Sequence, residues 1–293
     1  PPMKQKTRKG LFGFIFLLPV IVMISIFFIY PLIKVVLMSF QEWKIMGGSS
    51  FVGLSNYKKA LVDDEFWKTL WNTVIYAIIV TPMIFVPAVL LANALKKTSR
   101  STKIFRTIFF IPYAISFVAA SYIWQWIYND SYGILNYILI SLNLIGQPIN
   151  WLGQTWLSRV MVSIMVAWKT LGFTMIIVIA GLQGISPQIY EAASIDGAEK
   201  SQVFRYITLP LLRPTLVLAL ILSLAGSFKA FDHFYIMTKG GPLKTTETIV
   251  MYINKIGFEF YDIGFGSAVS VIFLGILLLI SYLQLKAGGF QNE

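Results

Sequence analysis

The chain has 293 residues, of which 57% are hydrophobic, 15% aromatic and 13% charged, with a formal net charge of +11. Its mean hydropathy of +0.72 and low charge lie outside the range of soluble domains, where about a quarter of residues are charged. With no cysteine, disulfides, thiolate chemistry and Cys-based metal sites are excluded, and the lone His233 cannot by itself build a histidine-rich metal site.

Lys4, Lys6, Arg8 and Lys9 precede the first apolar run. A signal peptide shares this order, but no small-x-small cleavage pattern follows the long run, so it reads as a retained span. Six apolar segments approach or exceed the ~20 residues that cross ~30 Å of hydrocarbon: 11–33, 70–95, 104–127, 160–183, 214–236 and 264–285. Because spanning backbone must satisfy its own hydrogen bonds, helices are expected throughout. The expected fold is therefore an all-α integral membrane protein. Its expected divisions are 1–33 (N-terminus and first span), 34–69 (extracytoplasmic), 70–285 (five-span core with a cytoplasmic element at 186–213) and 286–293 (tail).

Lysines and arginines set the orientation. One side collects 13: Lys4, Lys6, Arg8, Lys9, Lys96, Lys97, Arg100, Lys103, Arg106, Lys200, Arg205, Arg213 and Lys286. The other holds 9, spread over longer segments. The positive-inside rule then places both termini in the cytoplasm. The net positive charge is thereby a topology signal, and nucleic acid is not an expected partner. Trp67, Trp71, Trp124, Trp126, Tyr128, Trp151 and Trp156 fall near span ends and are expected to be interface anchors. Pro19, Pro82, Pro87 and Pro112 lie within spans, where each removes a helix hydrogen bond and invites a kink.

Residues 191–214 form a polar, Ala- and Gly-rich island between two apolar segments. Ser186-Pro187 is a helix start, with Ser at the N-cap and Pro at the first helical position. Glu191 sits near that helix's N-terminus, where negative charge is favoured. Ala192, Ala193 and Ala198 permit close approach, and Gly197 is suited to a C-cap or turn. A second helix, about 199–207, offers Val203, Phe204 and Ile207 as an apolar stripe, and Pro210 is expected to stop it. By pattern alone, this helix–turn–helix is either an amphipathic interfacial loop or a docking element.

The ordered run Glu191-Ala192-Ala193, Asp196-Gly197-Ala198, Gln202-Val203-Phe204 and Ile207-Thr208-Leu209-Pro210 closely resembles the EAA motif of binding-protein-dependent ABC importer permeases. Phe51-Val52-Gly53-Leu54-Ser55-Asn56-Tyr57, Asn72-Thr73, Phe109-Phe110-Ile111-Pro112, Leu171-Gly172-Phe173, Ala180-Gly181-Leu182-Gln183 and Thr238-Lys239-Gly240-Gly241-Pro242 are similar to the carbohydrate-importing, maltose- and glycerol-phosphate-type subgroup. The resemblance implies the type I ABC importer permease fold in a bacterial or archaeal cell membrane. It implies a second homologous permease, two cytoplasmic ATPase subunits and an extracytoplasmic solute-binding protein as partners. Glu191, Ala192, Ala193, Asp196, Gly197, Ala198, Phe204 and Pro210 would couple the permease to the ATPase, with Glu191 as the pairing acid and Gly197 making the turn. The chain lacks the Gly-x-x-x-x-Gly-Lys-Ser/Thr phosphate loop. The family pattern agrees: ATP and magnesium belong to the partner, and this chain is expected to bind no cofactor and to be no enzyme.

A sugar path needs polar groups for hydroxyls and flat apolar faces for ring C–H surfaces. Ser223, Gly226, Ser227 and Ala230 share one helix face by their spacing, which suits close helix packing as well as a path. The resemblance implies that span five lines the route. Trp168, Lys169, Leu171, Gly172 and Phe173 are the second candidate stretch. Charge at membrane depth is a functional hypothesis by default. Lys169, near the middle of span four, is expected to pair across helices or to face the path, where it could meet an anionic group. Lys229 and Asp232, three apart, could pair with each other. The expected cargo is a di- or oligosaccharide, with glycerol phosphate or a polyol as the alternative. An ion-coupled secondary transporter is the rival class, disfavoured by the single shallow acid, Asp232, within the spans. Paired carboxylates, a histidine cluster or a Ser/Lys dyad, which an embedded enzyme would need, are not evident.

Overall fold

The computed structural model describes residues 16–44 and 48–288. Lys4, Lys6, Arg8 and Lys9, the start of the first expected span and most of the C-terminal tail lie outside these residues. In chain order the elements are helix α1 (Phe16–Ser39), strands β1 (Gln41–Lys44) and β2 (Gly48–Phe51), and helices α2 (Ser55–Val62), α3 (Asp64–Ala94), α4 (Arg100–Ala114), α5 (Phe117–Ile127), α6 (Ile134–Ser141), α7 (Thr155–Gln183) and α8 (Pro187–Ile195). They continue with α9 (Lys200–Leu211), α10 (Arg213–Phe228), α11 (Asp232–Met237), α12 (Ile249–Asn254) and α13 (Ile263–Gly288). The described residues fall into two compact units, those up to 63 with 253–274 and those of 64–252 with the ones after 274.

Among the described residues, four helices are long and apolar enough to cross a membrane: α1, α3, α7 and α13. Two further candidate spans are bent pairs. Helices α4 and α5 meet at 97°, and α9 and α10 at 67°.

In the first unit, α1 keeps its large apolar side chains exposed along its length, as a helix bathed in lipid would. Strands β1 and β2 pair antiparallel, with Gln41 opposite Phe51 and Lys44 opposite Gly48. This hairpin corrects the all-helical expectation. It follows the end of α1, where polar residues and glycines replace the apolar run. Asn56 on α2 donates to the carbonyls of Ser39 (3.0 Å) and Gln41 (2.9 Å) and so anchors the hairpin's base. Lys59 pairs with Asp262 at 2.7 Å.

The core of the second unit is α3 against α7. Tyr76, Val80, Ile84, Ala88 and Ala92 of α3 recur every four residues and are buried, one stripe of a 3.6-residue helix. Ala88 and Ala92 leave room for Met175, Val178, Ile179 and Leu182 of α7. Pro82 and Pro87 lie inside α3 without breaking it. The break that does occur is after Pro112. Ile115 ends α4, and Ser116 starts α5 by accepting from Ala119 N–H at 3.1 Å.

Three expectations change here. The third expected span is two helices, because Ser116 caps a new helix immediately after the turn weakened by Pro112. The fifth is also interrupted. Helix α10 ends at Phe228 and α11 begins at Asp232, so Lys229 and Asp232 flank a break, and no ion pair joins them among the described residues. Tyr128 and Trp151 are core residues rather than interface anchors. Tyr128 Oη donates to the Met161 carbonyl (3.1 Å) and Trp151 Nε1 to Asn136 Oδ1 (3.0 Å), so each polar tip is satisfied inside. Trp67, Trp71, Trp126 and Trp156 are exposed, as anchors should be.

Candidate functional site

The 186–213 element is built as two short helices. Helix α8 starts at Ser186-Pro187 and ends in a Schellman motif. Gly197 N–H bonds the Ser194 carbonyl (3.2 Å) and Ala198 N–H bonds the Ala193 carbonyl (3.0 Å). That closure needs a left-handed residue, and Gly197 supplies it at φ +74°. A Cβ at Gly197 would meet open space, so the demand for glycine comes from the backbone conformation alone. Ala193 is buried, whereas Glu191, Ala192 and Asp196 are exposed. Ile195 joins them with 86% of its surface exposed. Glu191 and Ile195 are one helical turn apart, so α8 presents an acid, a small residue and a large apolar residue on one uncovered face. Ile195 is not among the coupling residues expected from the sequence, although it lies four residues after Glu191.

Helix α9 opens with a capping box between Glu199 and Gln202. Val203–Thr208 widens into a π-helix, and the helix runs through Pro210 to Leu211 before bending at Leu212. Pro210 therefore does not stop it. The proline follows the widened turn, where the ordinary hydrogen-bond ladder is already interrupted and its ring can be accommodated. Phe204 is half-buried and Ala198 partly so, while Pro210 is exposed. Tyr190 of α8 and Thr208 of α9 are 3.3 Å apart through their hydroxyls, which ties the two helices.

The second candidate region is a cavity of about 180 Å³ among α3, α4, α5, α7, α10 and α11. Of the expected pathway residues, Phe173, Ser223, Gly226 and Ser227 line it. Phe173 stacks on Tyr113 with ring centroids 4.5 Å apart and planes at 7°. Ser227 bonds back to the Ser223 carbonyl at 2.8 Å. The remaining expected residues stand elsewhere. Trp168 packs on Trp124 at 5.5 Å, and Leu171 joins the apolar cluster around Ala88 and Met175. Gly172 is a helix-crossing point. A Cβ there would fall on the Phe109 carbonyl of α4. Ala230 is buried, and its carbonyl accepts from Thr248 Oγ1 at 2.7 Å.

Lys169 is 3% exposed and does not line the cavity. Its ammonium donates to the Tyr113 carbonyl at 3.1 Å and to the Ile115 carbonyl, and it lies 4.5 Å from the Phe117 ring centroid. It thus bridges the α4–α5 bend, using carbonyls that the bend leaves free. The cavity also contains residues not foreseen: Tyr76, Tyr113, Phe117 and His233. His233 is the chain's single histidine, and what brings it here is tertiary, its ring lying against Tyr76 of α3 and Phe117 of α5.

A third polar centre is buried near the start of α7. Arg159 donates to Asn72 Oδ1 (2.8 Å) and to the Thr245 carbonyl (2.8 and 3.0 Å). Asn72 in turn donates to the carbonyls of Lys244 (2.9 Å) and Glu247 (3.1 Å). Thr73 Oγ1 accepts from Ile249 N–H at 3.0 Å. This clamp holds the 238–249 segment against α3 and α7. It gives a structural reason for two stretches read above only by likeness, Asn72-Thr73 and the segment around Gly240-Gly241-Pro242.

Long apolar helices, two bent candidate spans, an uncovered helix–turn–helix and an interior cavity define a polytopic membrane transport component. The chain belongs to the family of binding-protein-dependent transport system inner membrane components, whose family model matches residues 85–287. It is 33% identical over 294 aligned positions to the trehalose/maltose transport system permease protein of Thermococcus litoralis, covering 99% of this chain and 98% of that protein. It is also 33% identical to the lactose transport system permease protein of Rhizobium radiobacter, covering 94% and 93%. Its fold matches a chain from a bacterial ABC transporter involved in the import of the acidic polysaccharide alginate, with a TM-score of 0.83, 22% identity and full coverage of both chains. The chain is a transport subunit, not an enzyme.

Proposed function

We propose that this chain forms one half of the membrane path of an ATP-driven importer, which moves a di- or oligosaccharide from a binding protein into the cytoplasm by alternating access. It crosses a bacterial or archaeal cell membrane six times with both termini inside, counting α4–α5 as one span and α10 with its approach as another. A second, homologous permease completes the path. Two cytoplasmic ATPase subunits bind ATP and magnesium. An extracytoplasmic solute-binding protein delivers the sugar. The sugar assignment is supported by relatives named for trehalose, maltose and lactose transport.

The observation that carries the coupling role is the face of α8. Glu191, Ala192, Ile195 and Asp196 are exposed on a helix whose end is fixed by the Gly197 motif. A large apolar side chain left uncovered beside an acid marks a protein interface. Closure of the ATPases would move α8, and the Tyr190–Thr208 contact would pass that motion to α9 and the spans beyond. The route lies along α10 and the middle of α7, through the cavity lined by Phe173, Ser223, Gly226 and Ser227. Reconstitution of the complete importer in proteoliposomes tests this reading. Glu191→Lys and Gly197→Asp are each expected to abolish binding-protein-dependent uptake while the permease still inserts and assembles with its partner permease. Uptake at the wild-type rate from either variant would remove α8 from the coupling path.

A further inference from the structure

Between the end of α3 and the α8–α9 pair lies a cleft of about 430 Å³, apart from the route described above. Its walls bring together Lys96 and Lys97, just past α3, with Lys200 at the start of α9. The three are far apart in the chain, so their convergence is tertiary. Tyr190 and Ser194 of α8 form one side. They stand one residue before Glu191 and Ile195, about 100° around the helix. The cleft therefore opens beside the docking face of α8 and is not part of it.

The positive charge here is concentrated and held in place. Arg106 of α4 donates to the carbonyls of Leu95 (2.6 and 3.1 Å), Lys96 (3.2 Å) and Lys97 (3.3 Å). Thr102 Oγ1 donates to the Lys97 carbonyl at 2.7 Å. The turn that bears both lysines is thus fixed from α4. Lys96 Nζ sits 5.2 Å from the Tyr190 ring centroid. Among the described residues, none of the three ammonium groups has an ion-pair partner. Glu199, beside Lys200 in the chain, is taken up in the capping box of α9. Like charges drawn together repel one another, and a bound anion would relieve that repulsion.

Depth selects the kind of anion. Helix α3 has 31 residues and at 1.5 Å each reaches about 46 Å, against ~40–45 Å for a bilayer with its headgroup layers. Its end, where Asn93 lines the cleft, therefore falls at headgroup level. Basic pockets between helix ends on the cytoplasmic side suit anionic headgroups. Val203 and Phe204 give the cleft an apolar border, which suits the glycerol backbone and first acyl carbons of a lipid. We propose that the cleft binds the phosphate headgroup of an anionic lipid, which ties the end of α3 to the α8–α9 pair and makes coupling to the ATPases depend on lipid charge. This rests on the 186–213 element being the cytoplasmic coupling element.

The test uses the complete importer in phosphatidylcholine nanodiscs with and without phosphatidylglycerol. Native mass spectrometry measures the lipid kept by the released complex. Binding-protein-stimulated ATPase is read in parallel, with maltose, trehalose and lactose as probes. Preferential retention of phosphatidylglycerol is expected, with stimulated ATPase several-fold higher in its presence. Lys97→Gln combined with Lys200→Gln should weaken retention about thirtyfold, about fivefold per lysine, and abolish the enhancement. Lys103→Gln combined with Lys286→Gln removes as much charge from the same expected side but outside the cleft, and should change both readouts by less than about twofold. Equal losses in the two double variants would mean general surface attraction and overturn the site. Equal retention of both lipids by an active wild-type importer would do the same. Inorganic phosphate that displaces the lipid and gives the same enhancement in phosphatidylcholine discs would overturn the lipid assignment. Crosslinking of Lys97 or Lys200 to an ATPase subunit in the assembled importer would assign the cleft to that interface and overturn it as well. A wild-type importer without stimulated ATPase in any disc, yet retaining phosphatidylglycerol through Lys97 and Lys200, would instead sink the coupling reading and with it the regulatory half of the proposal.

Discussion

Two buried polar regions in the second unit are built on opposite terms. In the Arg159 clamp, the guanidinium, Asn72 and the carbonyls of Lys244, Thr245 and Glu247 are joined by hydrogen bonds of 2.8–3.1 Å, and Thr73 Oγ1 accepts from Ile249 N–H at 3.0 Å. In the cavity, Tyr76, Ser223 and His233 each bury an unpartnered atom. Burial of polar groups costs free energy unless their bonds are made. A region that makes them all stabilises one arrangement of helices. A region that leaves three unmade forgoes that stabilisation. The contrast sets a satisfied and an unsatisfied polar region within a few helical turns of α3, which contributes Asn72 to one and Tyr76 to the other.

The strongest way to break the comparison is at the clamp. Arg159→Ala would leave Asn72 Oδ1 and the Thr245 carbonyl without donors, and would remove the guanidinium packed 4.9 Å from the Trp156 ring. A loss of about 3 kcal/mol is expected, because buried acceptors left unsatisfied cost ~1–3 kcal/mol each. The midpoint of thermal unfolding in detergent micelles measures it. A clamp that tolerates this change within error is not structural. Gly172→Ala is next. The new methyl would meet backbone rather than a mobile side chain, since the Phe109 carbonyl occupies the space. Overpacking of this kind costs about 2 kcal/mol. The shift would also reach the neighbouring Phe173–Tyr113 stack, so uptake should fall more than stability alone accounts for. Normal uptake at reduced stability would show that the stack does not serve the path.

How much of this was legible beforehand follows from range along the chain. The α8 motif is readable because its parts are local: the Ser186-Pro187 start, Glu191, and Gly197 and Ala198 closing on Ser194 and Ala193. Long apolar runs locate α3, α7 and α13, though α3 and α7 begin about one and a half turns before the expected starts at 70 and 160. The bend at Ile115 was not readable, because Pro82, Pro87 and Pro112 look alike in sequence and only one precedes a break. What sets Pro112 apart is Ser116 capping the next helix and Lys169, over fifty residues away, bonding the freed carbonyls. The clamp was hidden for the same reason. Asn72 and Lys244 are 172 residues apart, and no periodicity connects them. The cavity residues Ser223, Gly226 and Ser227 were found by helical spacing, whereas Tyr76 and His233 sit on other helices and carry no shared local signal.

A gentler probe sharpens the comparison from the cavity side. Tyr76→Phe removes an oxygen that bonds nothing, so stability should be unchanged or rise by up to about 1 kcal/mol, the reverse of Arg159→Ala. A stabilised protein that transports poorly is the signature expected of a residue kept for function. A Tyr76→Phe protein destabilised by as much as the clamp variant would erase the distinction between the two regions.

The smallest effect is expected at the clamp's rim. Lys244 Nζ is 3.0 Å from Glu65 Oε1, with half of its side chain exposed. The hydrogen bond to Glu65, with the charges of Glu65 and Glu247, raises the Lys244 ammonium above the ordinary lysine value of 10.5. A group raised on folding contributes stability that is fully present below the unfolded value and is lost as pH rises through the folded one. The contribution should therefore be flat across neutral pH and decline only above about pH 10.5. Its size is limited by solvent screening, and Lys244→Ala should cost roughly 0.5 kcal/mol. The mutation leaves the Lys244 carbonyl in place, so Asn72 keeps both of its acceptors. Unfolding midpoints compared at pH 7 and pH 9 should show the same small difference between Lys244→Ala and wild type. A difference approaching that of Arg159→Ala would mean that the stabilising centre lies at this exposed ion pair and not in the buried network beneath it.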